Sequence, residues 1–202
     1  MRSRPGLNVL IIEKGKDIDE RQRKDIFSGW GGAGAFSDGK LTLSPDVGGF
    51  LGEYLGREAL SGLISYTDGL FTGFGATDEV KGLDRVQIAR FEQGATKAGL
   101  RLIPYPIRHI GTDRCRALLK NMRTELQTKA HILFNKEAAE VISKNGLVQG
   151  VRTSDGDEYN ADFVVLCPGR SGADWLQRLA KAVGLDVAIN PIDIGVRVEV
   201  PA

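Results

Sequence analysis

Leu7-Asn8-Val9-Leu10-Ile11-Ile12-Glu13-Lys14-Gly15 is the stretch on which the fold reading turns. A continuous apolar run ending in a charged residue and a glycine predicts a strand of a parallel sheet, buried on both faces. A second run of the same kind, Phe163-Val164-Val165-Leu166-Cys167, stops at Pro168-Gly169 and predicts another such strand. After it, Arg170-Ser171-Gly172-Ala173-Asp174 opens a helix expected from about Trp175 to Val183. Two buried strands with helices between them define an α/β chain.

A carboxylate just past a parallel strand has a specific use. In dinucleotide-binding folds it accepts hydrogen bonds from adenosine ribose hydroxyls, about twenty residues after a glycine fingerprint G-x-G-x-x-G. Glu13 stands at that place, although only six residues precede its strand and none forms the fingerprint. The other reading of Glu13 is a solvated strand end.

Outward from the strand, Asp17 to Asp25 is dense in mixed charge and reads as a short exposed helix or loop with a solvated face. Next comes Ser28-Gly29-Trp30-Gly31-Gly32-Ala33-Gly34-Ala35-Phe36-Ser37-Asp38-Gly39-Lys40-Leu41-Thr42, with five glycines between Gly29 and Gly39. Glycine backbone reaches positive φ and leaves N–H groups uncovered, so a flat or phosphorylated ligand can approach the main chain. A flexible linker would carry Ser and Pro in place of Trp30, Phe36, Leu41 and Leu43. Gly34 to Lys40 also fits G-x-x-x-x-G-K, but Leu41 stands where a P-loop needs Ser or Thr and no apolar strand leads into it.

Further along, Phe50 to Tyr66 has helical spacing weakened by Gly52, Gly56 and Gly62. Gly69 to Gly82 reads as loop, Asp84 to Lys97 as a helix ended by Gly99, and Leu100 to Pro104 as strand-like. Arg108 to Asp113 is a turn into a helix from Arg114 to about Thr128, with Thr112 or Asp113 as N-cap. His131 to Phe134, Ala138 to Ser143, Leu147 to Thr153 and Glu158 to Asn160 read as a four-stranded meander turning at Lys144-Asn145-Gly146 and Ser154 to Asp157.

Composition narrows the function classes. The 202 residues are 42% apolar, with 27 Lys plus Arg against 26 Asp plus Glu. No net field favours nucleic acid or an anionic membrane. No apolar run is long enough to span a membrane and no secretory leader is evident, so the cytoplasm is the expected compartment. Cys115 and Cys167 are far apart and read as buried thiols, and neither they nor His109 and His131 stand at metal-ligand spacing.

Taken together, Ile12-Glu13-Lys14-Gly15, the meander and Val164-Val165-Leu166-Cys167-Pro168-Gly169 resemble the glutathione-reductase-type flavoprotein superfamily. The last segment is similar to its Ala-Thr-Gly motif, with Cys and Pro in place of Ala and Thr. More narrowly, Ser28 to Thr42, Arg108-His109-Ile110-Gly111-Thr112-Asp113, Pro168-Gly169-Arg170-Ser171-Gly172-Ala173 and Asp193 to Pro201 resemble a bacterial and archaeal family of FAD-dependent dehydrogenases.

That resemblance implies FAD binding, with Glu13, next to Lys14, on the adenosine ribose. The loop Gly31, Gly32, Ala33, Gly34, Ser37, Asp38, Gly39 and Lys40 would lie along the diphosphate and isoalloxazine. The backbone near Ala138 would face adenine, and Gly169 and Arg170 would flank the cofactor. The implied architecture is a partial doubly wound, Rossmann-like FAD/NAD(P)-binding domain. Residues 1–46 and 160–202 form it, and residues 47–159 are a helical and β-meander insertion. The implied activity is hydride transfer between FAD and a small-molecule substrate or NAD(P)H, with no nucleic-acid or membrane partner. Lys40 is the cation expected near the flavin, oriented by Asp38. The missing fingerprint and the end at Ala202 read as a fragment with weak or no FAD affinity of its own. The alternatives are a non-catalytic nucleotide-binding or RNA-linked module of the same fold, or an inactive remnant.

Overall fold

A computed structural model describes residues 6–188 and 194–196. Most of the Asp193 to Pro201 segment, including Asp193 itself, lies outside the described residues. The elements in chain order are β1 (Leu10–Ile12), β2 (Lys40–Thr42), α1 (Leu51–Leu55), α2 (Arg57–Gly73), α3 (Arg85–Lys97), β3 (Ile107–His109), α4 (Thr112–Gln127), β4 (His131–Leu133), β5 (Ala138–Lys144), β6 (Leu147–Thr153), β7 (Glu158–Asn160) and α5 (Ala173–Ala182).

The strands form three small sheets: β1 with β4, β2 with β3, and β5-β6-β7. The α/β class stands. The parallel part is one pair among the described residues, Leu10, Ile11 and Ile12 registering on His131, Ile132 and Leu133. His131–Leu133, expected as the first strand of the meander, therefore belongs beside β1, and the meander has three strands. β1 and β4 are each exposed at the first residue and half-buried at the next two, so β1 is not the strand buried on both faces that its apolar run predicts, and the pairing serves the main-chain hydrogen bonds of both. The β5–β6 turn is Asn145-Gly146, both at left-handed φ (53° and 77°), so the two-residue connection matches the strand twist.

Phe163–Cys167 forms no strand. Phe163 is 90% and Val165 85% exposed, which an extended segment reaches when no neighbouring strand takes its hydrogen bonds. Leu100–Pro104 likewise lies outside any strand, and α2 runs on to Gly73 into the expected loop. At α3 the Asp84 carboxylate caps the helix, accepting from the N–H groups of Val86 (2.9 Å) and Gln87 (3.1 Å). At α4 the N-cap is Gly111, without a side-chain cap, in place of Thr112 or Asp113.

α4 organises the core. Cys115 and Leu118 are buried with Ala76 and Ile110, and Leu41, Phe71, Phe74 and Met122 pack around them. Another face of α4 carries cations that hold residues 17–19. Arg116 donates to the Ile18 carbonyl at 2.7 Å, Lys120 reaches Asp19 at 2.9 Å, and Arg123 reaches Asp17 at 2.9 Å. Asp19, Glu20, Gln22, Arg23 and Lys24 are exposed, as the solvated face expected there, whereas Ile18 is fully buried and Arg21 is 3% exposed, packed against the body. A buried bidentate pair, Arg108 to Asp68 at 2.6 and 2.7 Å, ties β3 to α2, and Arg108 also donates to the Thr77 carbonyl.

Candidate functional site

The carboxyl ends of β1 and β4 meet at Glu13. Its N–H donates to the Leu133 carbonyl (2.9 Å), and its carbonyl accepts from Lys136 (3.0 Å). Its Oε1 accepts from the main-chain N–H groups of Gly15 (2.8 Å) and Gly29 (3.0 Å). Oε2 makes no hydrogen bond to the described residues. In open α/β sheets the ends of parallel strands are where ligands bind, because the loops there diverge and leave a crevice.

Glu13 thereby sews the strand end to the glycine loop. Gly15 and Gly29 are stacked so closely that a Cβ on Gly15 would run into the main-chain nitrogen of Gly29. The Trp30 N–H donates to the Lys16 carbonyl at 3.0 Å. The Trp30 indole N–H donates to the Leu119 carbonyl of α4 at 2.8 Å, and its ring meets Phe134 edge-on at 6.2 Å.

The loop's glycines divide into two kinds. Gly31 (φ 81°) would place a Cβ 2.5 Å from Leu119 Cδ1, and Gly39 (φ 66°) would drive one into the Cys115 sulfur; both are required by packing. Gly32 and Gly34 have nothing within 4 Å of a Cβ position, and Ala33 beside them is exposed. Here the main chain lies open, as a cradle for a ligand approaching the backbone requires. Ser37 Oγ accepts from Gly39 N–H at 3.0 Å and shapes the turn into β2.

Beyond that turn, Asp38 and Lys40 form an ion pair of 2.9 Å, and Asp38 lies 3.9 Å from His109 Nε2. The hydrogen bond from Lys40 holds the Asp38 carboxyl below its usual range, and the same bond raises the Lys40 ammonium. Both side chains are more than half in solvent or close to it, so the pair adds little stability. Lys40 registers opposite His109 across the β2–β3 ladder. Burial, with Asp38 nearby, pushes the Cys115 thiol up. Cys167, expected buried, is exposed because its segment joins no sheet.

The remaining expected residues lie on the other side of Glu13. Lys14 pairs with Glu137 at 2.7 Å, next to Ala138 at the start of β5. The Trp175 indole N–H of α5 donates to the Ala139 carbonyl at 2.7 Å, which tethers the helix following Gly169 and Arg170 to that strand. Gly169 is at φ 61° and Arg170 is exposed.

Arg21 and Leu119 escaped the sequence reading, and His109 stood in it only as a rejected metal ligand and as part of the Arg108 to Asp113 motif. Arg21 was hidden in a run of charge, where Ile18 three residues before it was the one apolar signal. Two open surface recesses, one along α3 at Ala89, Gln93 and Thr96 and one between Gly73–Gly75 and Thr124, lie away from the glycine loop.

No family model matches the chain. An uncharacterized protein of Clostridium beijerinckii is 26% identical over 215 residues, which cover 98% of this chain and 33% of that protein. The chain thus spans about a third of the length of the curated relative it matches. Among solved structures, glycine oxidase from Geobacillus kaustophilus aligns at 16% identity over 89% of this chain and 52% of its own, with a TM-score of 0.48. L-proline dehydrogenase from P. horikoshii aligns at 13% identity over 91% of this chain and 57% of its own, also with a TM-score of 0.48. An insertion-deleted L-amino acid deaminase from Proteus vulgaris aligns at 16% identity over 86% and 50%, with a TM-score of 0.44. Among the described residues no helix is long and apolar enough to cross a membrane.

Proposed function

We propose that this chain is part of an FAD-dependent oxidoreductase. The observation that carries the reading is the Glu13 carboxylate, at the joined ends of two parallel strands, bound to the glycine loop through one oxygen and free on the other. The residues present fit the cofactor. Glu13 Oε2 is available to a ribose hydroxyl, and the open main chain at Gly32 and Gly34 is available to a diphosphate. Ala138 and the turn at Gly169 and Arg170 are placed with adenine and the far edge of the cofactor in this reading.

When bound, FAD would supply the hydride-accepting ring, with a small-molecule substrate or NAD(P)H as donor. The chain's own part is to hold and tune it. Lys40, kept protonated by Asp38, is assigned to stabilise negative charge on the reduced ring. Lys40→Met in the longer protein is then expected to lower the flavin reduction potential, and an unchanged potential removes that role.

The nucleotide-binding part is assigned to residues 1–46 and 160–202 with β4, and the rest to an inserted region. Phe163, Val165, Ile194 and Val196, all more than four-fifths exposed, are the apolar side chains that more protein would cover.

The test is the visible spectrum of the purified chain and of the longer protein, each titrated with FAD. A bound-flavin band near about 450 nm in the longer protein is expected. A longer protein that stays colourless and ignores FAD overturns the reading.

A further inference from the structure

Arg21 is the most deeply buried charged side chain among the described residues, 3% exposed, yet the hydrogen bonds it makes are to main-chain carbonyls. Nη1 donates to Trp30 O at 2.5 Å and Gly32 O at 2.8 Å, and Nη2 to Asp25 O at 2.7 Å and Ile26 O at 3.3 Å. Its Nε is buried with no hydrogen-bond partner. The guanidinium carbon lies 5.0 Å from the centre of the Phe36 ring, and Gly29 leaves room for the stem, since a Cβ there would sit 2.6 Å from Arg21 Cδ. Such an arrangement is costly, because a charge taken from water without a bonded counter-ion loses its solvation and recovers only what the carbonyls return. Glu13 and Asp25 act on it only through space, and burial holds its pKa below the usual arginine value.

The peptide plane turns this clamp into a statement about the loop's outer side. In a trans peptide the carbonyl and the following N–H point in opposite directions. Drawing the Trp30 and Gly32 carbonyls onto Arg21 therefore aims the N–H groups of Gly31 and Ala33 away from it, and a Cβ position at Gly32 or Gly34 beside them meets nothing within 4 Å. A cation without a directly bonded counter-ion one peptide layer beneath adds a positive potential to the same side.

We infer that Arg21 is the positioning residue of the glycine loop: it sets the peptide orientation from Trp30 to Ala33 and makes the open main chain there a seat for an anionic group, the diphosphate of FAD. The identity of the anion rests on the function proposed above, whereas the setting of the loop does not. Arg21 touches no ligand in this role. It acts through the two carbonyls it holds.

The test uses the whole chain with Trp175→Phe, so that Trp30 is the remaining tryptophan, and compares Arg21, Arg21→Ala and Arg21→Lys. Inorganic pyrophosphate and FAD are titrated against Trp30 fluorescence, with urea unfolding recorded in parallel. Expected are a red-shifted Trp30 emission and roughly tenfold weaker binding of both ligands in Arg21→Ala, with a smaller loss in Arg21→Lys. Guanidinium ion at about 20 mM, but not sodium ion, is expected to restore binding to Arg21→Ala by replacing the donors to the Trp30 and Gly32 carbonyls.

A folded Arg21→Ala protein that binds both ligands within about twofold of the parent overturns the inference. If Arg21→Ala does not fold, Arg21→Lys decides, and parent-like binding together with parent-like emission overturns it. Pyrophosphate binding that depends on Arg21, without any FAD binding to this chain, upholds the positioning role. A parent that binds neither ligand overturns the anion seat, and the longer protein's flavin spectrum decides the FAD reading separately.

Discussion

The carboxylate of Glu13 and the main-chain N–H of Gly29, sixteen residues apart, share a 3.0 Å hydrogen bond that closes the end of β1 onto the glycine loop. The same oxygen accepts from Gly15, so one side chain satisfies two donors that no secondary structure serves. Glu13→Ala is expected to cost about 2–4 kcal/mol in urea unfolding, because both N–H groups lose a charged acceptor. Glu13→Gln keeps an acceptor oxygen and is expected to cost about 1 kcal/mol. Equal losses in the two variants would refute the hydrogen-bond account.

The two kinds of glycine should separate in stability. Gly39→Ala combines a left-handed φ of 66° with a collision at Cys115 and is expected to lose about 2–4 kcal/mol. Gly34→Ala enters open space without a positive φ and is expected to stay within about 0.5 kcal/mol of the parent. FAD titration of the longer protein should rank them otherwise, with Gly34→Ala weakened by about tenfold if the main chain there meets the cofactor.

Acid should weaken the meander. Lys136 bridges Asp155 (2.5 Å) and Asp157 (2.6 Å), and Asp155 also accepts from the Thr153 hydroxyl at 2.6 Å. The Lys136 hydrogen bond, followed by that of Thr153, lowers the Asp155 carboxyl from 3.8 to about 2. A depressed carboxyl contributes stability that is present above pH 3.8 and is lost as the pH falls toward about 2. The same bridge raises Lys136, whose contribution is complete below its ordinary value of 10.5 and fades as the pH rises beyond it. Far-UV circular dichroism of Asp155→Asn should show a shallower loss of strand signal between about pH 4 and 2 than the parent. An identical acid profile would count against this bridge.

The two thiols should react at different rates. Cys167 is exposed and should be modified promptly by an aromatic disulfide reagent in the folded protein. Cys115 is 5% exposed with its thiol pKa raised, and should react only on unfolding. Prompt release of two equivalents would show that the core around α4 opens.

Several features were legible in the residues alone, each for a local reason. The Asn145-Gly146 hairpin follows from two residues that tolerate left-handed φ. α3 follows from the Asp84 cap and amphipathic spacing, and α4 from its periodicity, within a residue or two at each end. Glu13 was singled out because a carboxylate that ends an apolar strand is visible as a pattern. The packing glycines could not be told from the open ones, because the neighbours that separate them, Leu119 and Cys115, lie on α4, far away in the chain.

What the sequence by itself determined is therefore the α/β class, the helices α3 and α4, the β5–β6 hairpin and the glycine loop next to a strand-ending carboxylate, all products of local propensity and periodicity. Only the tertiary structure decided that β4 pairs with β1, that Phe163–Cys167 joins no sheet, and that Arg21 lies buried under the loop in a run of charge that reads as solvated. Those outcomes depend on which distant group is present to accept a hydrogen bond or cover an apolar face. A chain's own periodicity carries no record of that neighbour.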